Sequence, residues 1–518
     1  MKFERTKNAT RNIIFGCLNN VYLLIIPFVN RTIIIHVMGI QYLGLNSLFS
    51  SILSVLNLAE LGVGAALTYS MYKPVAENDT VKICALMNLY KKYYRIIGAV
   101  IGVIGIILCP FIPNLVKNDL PEGLNLYVLY LMNLFTTVFT YWLFAYKNSL
   151  LIVFQRNDIS TKISMLVTTV TYFMQWSVLF LYKNYYIYLV VMLGAQVLHN
   201  ILIAIIVDKR YPDYKPFGMI EKNEVKIINQ RVRDMFTSKI GGTIVDSADT
   251  LVISYFLGLS VLGIYNNYFY LMVSIKKFIS TGLTSIISGI GNSIVVETKE
   301  KNYNDLRRFS LIVAWVSGFC SCCFLCLFQP FIKLWLGEKF QLSYSIVILI
   351  VIYFYVMEIN QLLSIFREAS GAWHNDRFRP LVTALSNLAM NVAMVQFWGL
   401  HGVLLSTVLS TVFISMPWSL KNLFTCVFNK QDFKKYTLLI FTYTLAVCIA
   451  GAICAFLSNY IFFPSLIITI IVRVLVCFAV SNGLFFLLFH KTKEFSGVLS
   501  LINSITKGKV KFLSRMEK

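Results

Sequence analysis

The sequence predicts an all-α membrane protein that crosses the bilayer about fourteen times. Composition is the first reason: the chain of 518 residues is 57% hydrophobic and 14% charged, with a mean hydropathy of +0.70. Soluble globular proteins are about 45–50% apolar and about 25% charged, so this composition excludes that class. The second reason is that apolar runs of bilayer-spanning length, about 20 residues, recur along the whole chain. A weak internal repeat is the third.

The spans follow from these apolar runs. We predict them at residues 12–38, 43–71, 92–116, 124–146, 160–182, 184–207, 236–257, 260–294, 309–336, 341–366, 380–398, 402–420, 436–459 and 464–490. With the N-terminus inside, the inner segments hold 38 of the 46 Lys and Arg residues, and the outer side holds four. Because basic loops stay in the cytoplasm, this asymmetry predicts cytoplasmic termini and an even number of spans.

The largest inner loop divides the chain, because it carries seven Lys and Arg residues between positions 208 and 238. We expect an N-terminal six-helix lobe at 1–207, a basic cytoplasmic linker at 208–235, a C-terminal six-helix lobe at 236–426, two additional transmembrane helices at 427–490 and a basic cytoplasmic tail at 491–518. The tail mixes apolar and basic residues, which fits either a helix on the anionic inner leaflet or a solvated tail.

The repeat relates the first outer turn of each lobe. Asn30–Asn46 aligns without gaps on Asp249–Tyr265, at a constant offset of 219 residues. The identical pairs are Ile34 with Ile253, Gly39 with Gly258, Leu43 with Leu262 and Gly44 with Gly263. Both copies run from inside to outside, so the repeat is parallel, which is one plan of secondary transporters with a midplane substrate site. Chance similarity between two apolar hairpins is the alternative.

Two basic side chains lie inside apolar spans, on faces that also carry polar residues. Arg31 shares a helical face with Asn20 and Asn30, and Lys277 shares one with Asn266. A charged residue at mid-membrane is costly and usually lines a cavity, although Arg31 snorkelling to the interface is an alternative. We expect Arg31 and Lys277 to converge on one substrate cavity. Its further candidate residues are Lys276, Asn20, Asn30, Asn57 and Asn266.

Acidic residues inside the spans are candidates for coupling to a cation. They are Asp249, Asp246, Glu60 and Glu358. Asp246 and Asp249 lie one helical turn apart, and paired buried carboxylates readily bind a cation or share a proton. As an alternative, they are structural counter-ions of Lys276 or Lys277.

Other classes of site lack their motifs. We find no nucleotide-binding loop, zinc-protease motif or nucleophile elbow, so we expect no enzyme activity and no cofactor. The five histidines are unclustered and the 11 cysteines lie mostly in apolar runs, so we expect no metal site. The net charge of +22 is spread over the loops, where it reflects topology, and we expect no nucleic-acid partner.

Five stretches carry a family resemblance. They are TRNIIFG (Thr10–Gly16), NRTIIIHVMGIQYLGLNSLFSSIL (Asn30–Leu53), LAELGVGAALTYSMYKPVAEND (Leu58–Asp79), DSADTLVISYFLG (Asp246–Gly258) and FREASGAWHNDRFRP (Phe366–Pro380). In this order and spacing they resemble the polysaccharide transporter branch of the multidrug/oligosaccharidyl-lipid/polysaccharide exporter superfamily, the Wzx-type flippases. They leave the last two spans largely uncovered.

This resemblance implies two six-span lobes around a central cavity, followed by two trailing spans. It also implies a polyprenyl-pyrophosphate-linked oligosaccharide repeat unit as substrate. Alternating access would move that unit from the inner to the outer leaflet of a bacterial cytoplasmic membrane, for capsule or O-antigen assembly. In such families cavity cations hold the phosphates, and Arg31 and Lys277 are the matching candidates here. Membrane lipids, a polysaccharide polymerase and chain-length machinery are the implied partners.

Two other functions remain open from the sequence. A cation-coupled multidrug antiporter of the same superfamily would need carboxylates to dominate its cavity, whereas Lys276 and Lys277 repel cationic drugs. A membrane-embedded polysaccharide polymerase or ligase would be expected to have a long outer loop, and every predicted outer loop here is short. The flippase is therefore the preferred prediction.

Overall fold

Helices joined by short loops make up the computed structural model, which describes residues 5–60, 62–116, 120–371 and 376–505. No β-strand occurs within these ranges. Thirteen of the described helices are long and apolar enough to cross a membrane. A bent pair, Leu126–Trp142 with Ala145–Val153 at 48°, makes a fourteenth if counted as one span. The predicted all-α fold with about fourteen spans is therefore confirmed. Chain contacts define two compact units, Met1–Gly263 and Ile264–Lys518.

The first unit contains nine helices within the described ranges and the first turn of a tenth. They are α1 (Arg5–Val37), α2 (Ile40–Leu56), α3 (Val63–Glu77), α4 (Thr80–Leu108), α5 (Leu126–Trp142), α6 (Asn148–Val153), α7 (Asn157–Leu181), α8 (Tyr185–Arg210), α9 (Lys222–Leu257) and the start of α10 (Leu259–Thr284). Capping side chains fix several starts: Asp79, Asn125 and Asn184 accept hydrogen bonds from backbone N–H groups in the first turns of α4, α5 and α8.

The second predicted span is broken into two helices. α2 ends at Leu56, a 3-10 turn follows at Asn57–Glu60, and α3 begins at Val63. Gly62 lies just before α3 with φ 92°, a left-handed conformation that glycine adopts without steric penalty. A Cβ on Gly62 would also lie 2.7 Å from the Cβ of Met235 on α9. Glycine is therefore required here by both its backbone angle and the close approach of α9.

The repeated outer turns have the same backbone conformation. Gly39 precedes α2 with φ 115° and Gly258 precedes α10 with φ 92°. These two residues are equivalent in the 219-residue repeat. Both values lie in the region that favours glycine, so the two copies use the same residue type for the same physical reason.

The turns also contact each other reciprocally within the first unit. A Cβ on Gly44 of α2 would lie 3.0 Å from the carbonyl carbon of Leu259, and a Cβ on Gly263 would lie 2.5 Å from the carbonyl oxygen of Ile40. Ile40 and Leu259 are themselves repeat equivalents, as are the two glycines. Each glycine thus lets its helix approach the backbone of the other copy, as expected where two equivalent elements meet about a two-fold axis.

The basic segment between the predicted lobes is held against the first unit. Its last part is helical, since α9 already begins at Lys222. Glu224 forms an ion pair with Lys82 of α4, and Asn229 accepts a hydrogen bond of 2.7 Å from Tyr93. Because α9 packs on α2 and α3, the compact units divide at Gly263, whereas the sequence-based division lies before residue 236.

The second unit contains the rest of α10 and nine further described helices. They are α11 (Ile287–Val296), α12 (Lys299–Trp335), α13 (Tyr344–Ser370), α14 (Arg379–Trp398), α15 (Leu400–Ser410), α16 (Met416–Cys426), α17 (Asp432–Ser458), α18 (Leu466–Phe489) and α19 (Lys493–Ile505). A π-helical turn, Thr411–Ser415, joins α15 to α16 in one span. α12 packs on α13, α17, α18 and α19, so it lies at the centre of this unit.

The start of the predicted tail is a docked helix. Phe495, Val498 and Leu499 of α19 are buried in the core of the second unit, and Glu494 forms an ion pair with Arg307. Residues 506–518 lie outside the described part of the chain. The described part of this tail therefore packs on its own unit through an apolar face.

Candidate substrate site

Arg31 follows a buried asparagine that joins three helices. Asn30 is 8% exposed, its Nδ2 donates to the Tyr188 hydroxyl at 3.1 Å, and its Oδ1 accepts from Trp176 Nε1 at 3.2 Å. Asn30 thus fastens α1 to α7 and α8. Arg31 is half-buried, and its positive charge interacts with the Tyr188 hydroxyl. Asn20, on the same helix, is also half-buried.

The break in the second span brings two predicted site residues together with a group of tyrosines. Asn57 Oδ1 accepts from the Tyr141 hydroxyl at 3.1 Å, and Glu60 Oε1 accepts from the Tyr94 hydroxyl at 3.1 Å. The Tyr94 and Tyr90 hydroxyls lie 3.1 Å apart. Because the 3-10 turn replaces regular helix here, Asn57 and Glu60 reach side chains of α4 and α5.

A cavity of about 1010 Å³ lies beside this break, within the first unit. We call it the break cavity; Glu60, Tyr90, Tyr94, His199 and Arg231 are among its lining residues. Of these, sequence reasoning identified Glu60 alone. Tyr90 and Tyr94 are one helical turn apart on α4, and this i, i+4 pair of tyrosines was the available signal.

The two aspartates of α9 have different environments. Asp249 is 5% exposed and buried, whereas Asp246, three residues earlier, is exposed. The exposure of Asp246 therefore does not match a coupling site made of two buried carboxylates. Of the two aspartates, Asp249 has the burial expected of a residue that binds a proton or a cation away from water.

The predicted residues of α10 and α13 lie in the second unit. Lys277 is exposed. Lys276 is half-buried, and its positive charge interacts with the Glu358 carboxylate. Glu358 is fully buried, and neither of its carboxylate oxygens has a hydrogen-bond partner among the described residues. One turn further along α13, Gln361 Nε2 donates to Ser280 Oγ at 2.6 Å and joins α13 to α10. Lys276 is therefore the cation that neighbours Glu358.

The predicted site residues are thus distributed over both units. Those of the first are Asn20, Asn30, Arg31, Asn57, Glu60, Asp246 and Asp249, and those of the second are Asn266, Lys276, Lys277 and Glu358. Asn57 and Glu60 come together at the break, and Lys276 and Glu358 come together in the second unit. The convergence of Arg31 and Lys277 stays a prediction. Within the described residues, no group of three or more His, Cys, Asp or Glu side chains is arranged to hold a metal ion.

A family model decides the relationship to known proteins. The model described as polysaccharide biosynthesis protein matches residues 9–288, more than half of the chain. The chain belongs to the polysaccharide biosynthesis protein family. No curated protein matches it. The resemblance read from the sequence is therefore confirmed at the level of the family.

Solved structures show the same fold. The lipid II flippase MurJ, in an inward closed conformation, has a TM-score of 0.65 at 15% identity, covering 92% of this chain and 99% of its own. An inward-facing multidrug resistance MATE family transporter of the MOP superfamily has a TM-score of 0.58 at 14% identity, with coverage of 80% and 96%. The Vibrio cholerae MATE transporter VcmN has a TM-score of 0.51 at 13% identity, with coverage of 81% and 98%. This family member therefore has the MOP-superfamily fold.

Proposed function

We propose that this protein is a flippase for polyprenyl-pyrophosphate-linked oligosaccharide repeat units. It moves them by alternating access from the inner to the outer leaflet of a bacterial cytoplasmic membrane, for capsule or O-antigen-type polysaccharide assembly. The observation that carries this proposal is the polysaccharide family match over residues 9–288, on a fold shared with a lipid II flippase. Both termini face the cytoplasm, as the distribution of basic residues predicts.

The charges of the substrate fit the basic residues of the spans. A lipid-linked pyrophosphate carries about two negative charges, which need fixed cations inside the membrane. Arg31 offers a bidentate guanidinium and Lys277 a point charge. Moving two negative charges outward across a membrane potential of about 100 mV, inside negative, releases roughly 4.6 kcal/mol. The membrane potential therefore favours export.

The test removes each of these charges separately. Arg31→Ala and Lys277→Ala should each weaken substrate binding about tenfold to a hundredfold, because a charge-assisted hydrogen bond contributes about 1.5–3 kcal/mol. Arg31→Lys should recover only part of the activity, since it loses the bidentate fork. The measurement is the amount of lipid-linked repeat unit retained on the inner face of cells that depend on this chain. Lys421→Ala, which removes an exposed cation from α16, is the control.

Normal surface polysaccharide from both alanine variants at low expression would show that these charges are structural.

The second candidate is a cation-coupled multidrug antiporter, and the buried Glu358 carboxyl is the observation that favours it. Ion-driven efflux of an organic cation by the purified chain, without movement of lipid-linked sugar, would support the antiporter. On the flippase proposal the product reaches a polysaccharide polymerase and chain-length machinery at the outer face.

A further inference from the structure

Among the described residues, the lining of the break cavity lacks the excess of cations that a phosphate group needs. Its lining includes two carboxylates, Glu60 and Asp234, and one permanently charged cation, Arg231. The Arg231 guanidinium lies 4.9 Å from the centre of the Tyr69 ring and donates to Ser70 Oγ at 3.2 Å. Phosphate sites gather several charge-assisted donors around the anion. This lining therefore fits a ligand without a strong negative charge.

Tyrosine rings form part of the cavity lining. The rings of the lining residues Tyr90 and Tyr94 are 4.6 Å apart, and Tyr94 also packs at 5.3 Å on Tyr141, which is not a lining residue; both contacts are edge to face. Edge-to-face contacts hold such rings in fixed orientations. The Tyr94 hydroxyl donates to Glu60. An aromatic face beside a hydrogen-bonded carboxylate suits the apolar face and the adjoining hydroxyl groups of a sugar ring.

The remaining lining adds neutral polar groups from α6 and α8. Asn148, Gln196, His199 and Asn200 all line the cavity. The Asn148 Oδ1 atom is buried and has no hydrogen-bond partner within the described residues. Buried polar atoms in folded proteins are nearly always paired, so this oxygen in a lining residue is an acceptor without its usual partner.

We propose that the break cavity binds the carbohydrate portion of the lipid-linked substrate, and so selects its sugars. This inference rests on the proposed function, to which it adds a separate sugar subsite in the first unit. The cavity volume of about 1010 Å³ lies at the upper end of the range of small-molecule sites, roughly 300–1,000 Å³. An organic cation fits less well, because Arg231 shares the cavity and the Glu60 carboxylate already accepts the Tyr94 hydroxyl.

The test uses the full chain in lipid nanodiscs and soluble oligosaccharide released by mild acid from the lipid-linked pool of the source cells. Saturation-transfer difference NMR should detect binding to the unsubstituted protein at millimolar oligosaccharide. Tyr94→Phe and Asn148→Ala should each weaken binding about threefold to tenfold, the usual effect of a neutral hydrogen bond. Tyr130→Phe is the matched control: it removes a 3.0 Å phenol hydrogen bond to the Gly105 carbonyl, away from the cavity lining.

The outcomes separate this inference from the proposed function. Absence of oligosaccharide binding, while cells expressing the chain still move repeat units to the outer face, would overturn the sugar subsite alone. Displacement of the oligosaccharide by inorganic pyrophosphate or by tetraphenylphosphonium would also overturn it. Oligosaccharide binding that depends on Tyr94 and Asn148, in a chain that fails to move repeat units, would support the cavity and contradict only the flippase proposal.

Discussion

Gly44→Ala tests the reciprocal contact between the two repeated turns. The new methyl group would lie 3.0 Å from the Leu259 carbonyl carbon and 3.1 Å from its Cα, both backbone atoms that cannot rotate away. Overpacking of this kind costs about 1–3 kcal/mol. Alanine also favours a helix over glycine by about 1 kcal/mol, which offsets part of that cost. We expect a net loss of about 0–2 kcal/mol in the free energy of unfolding.

A matched control separates the contact from the helix propensity. Gly242 lies inside α9, and a Cβ there would meet no atom of the described residues within 4 Å. Gly242→Ala should therefore keep the propensity gain and melt at the same temperature as the unsubstituted chain or higher. The difference between the two variants is then about 1–3 kcal/mol, the overpacking cost alone. Thermal unfolding of both variants in the same detergent, followed by tryptophan fluorescence, measures it.

The repeat predicts a further result for the paired substitution. If the two turns separate slightly to accommodate a methyl group at Gly44, the same movement makes room at Gly263. The double variant should then lose less stability than the sum of the single variants, by about 0.5–3 kcal/mol. Equal melting temperatures for Gly44→Ala and Gly242→Ala, or strict additivity of the pair, would refute the reasoning.

Three other expectations follow from the structure. Glu358→Gln should leave the melting temperature unchanged or higher, because it replaces a buried carboxylate, which has no hydrogen-bond partner within the described residues, with an uncharged amide of similar size. It should also abolish any dependence of transport on an imposed ion gradient; a retained dependence in vesicles would exclude this residue from coupling. Asp376→Asn should cost about 3–5 kcal/mol, since it weakens a buried ion pair with Arg379 at 2.9 Å, and an unchanged melting temperature would contradict this. Reporter tags at Lys222 and at the C-terminus should indicate the cytoplasm, and a tag at Asp119 should indicate the outside. Asp119 and the C-terminus lie outside the described residues. An outside signal at Lys222 would contradict the predicted topology.

Apolar length alone was sufficient to place the membrane helices. Each of the fourteen predicted spans overlaps described helical segments, because crossing a bilayer requires a long apolar helix whatever its neighbours. The break at Asn57–Glu60 was missed, because the average hydropathy of 43–71 stays high across it. Gly62 and Glu60 within an apolar run were the local indications of that break.

The candidate site was harder to predict, because helical periodicity identifies a shared face but does not identify what that face contacts. Asn30 lies on the polar face that was predicted to line a cavity, yet its amide bonds Tyr188 and Trp176. Conversely, Tyr90 and Tyr94 line the break cavity, although their i, i+4 spacing was the only indication of this in the sequence. Contacts between distant helices decide both cases, and these depend on tertiary packing.

The continuous helix α9 has a mechanical consequence for the first unit. Arg231, near its start, lines the break cavity, and Ser254, near its end, donates to the Leu115 carbonyl at 2.6 Å. The two residues are 23 positions apart, about 35 Å along the axis. No proline interrupts the 36 residues of α9. If α9 moves as one rigid body, an axial displacement at the cavity end moves the opposite end by the same distance.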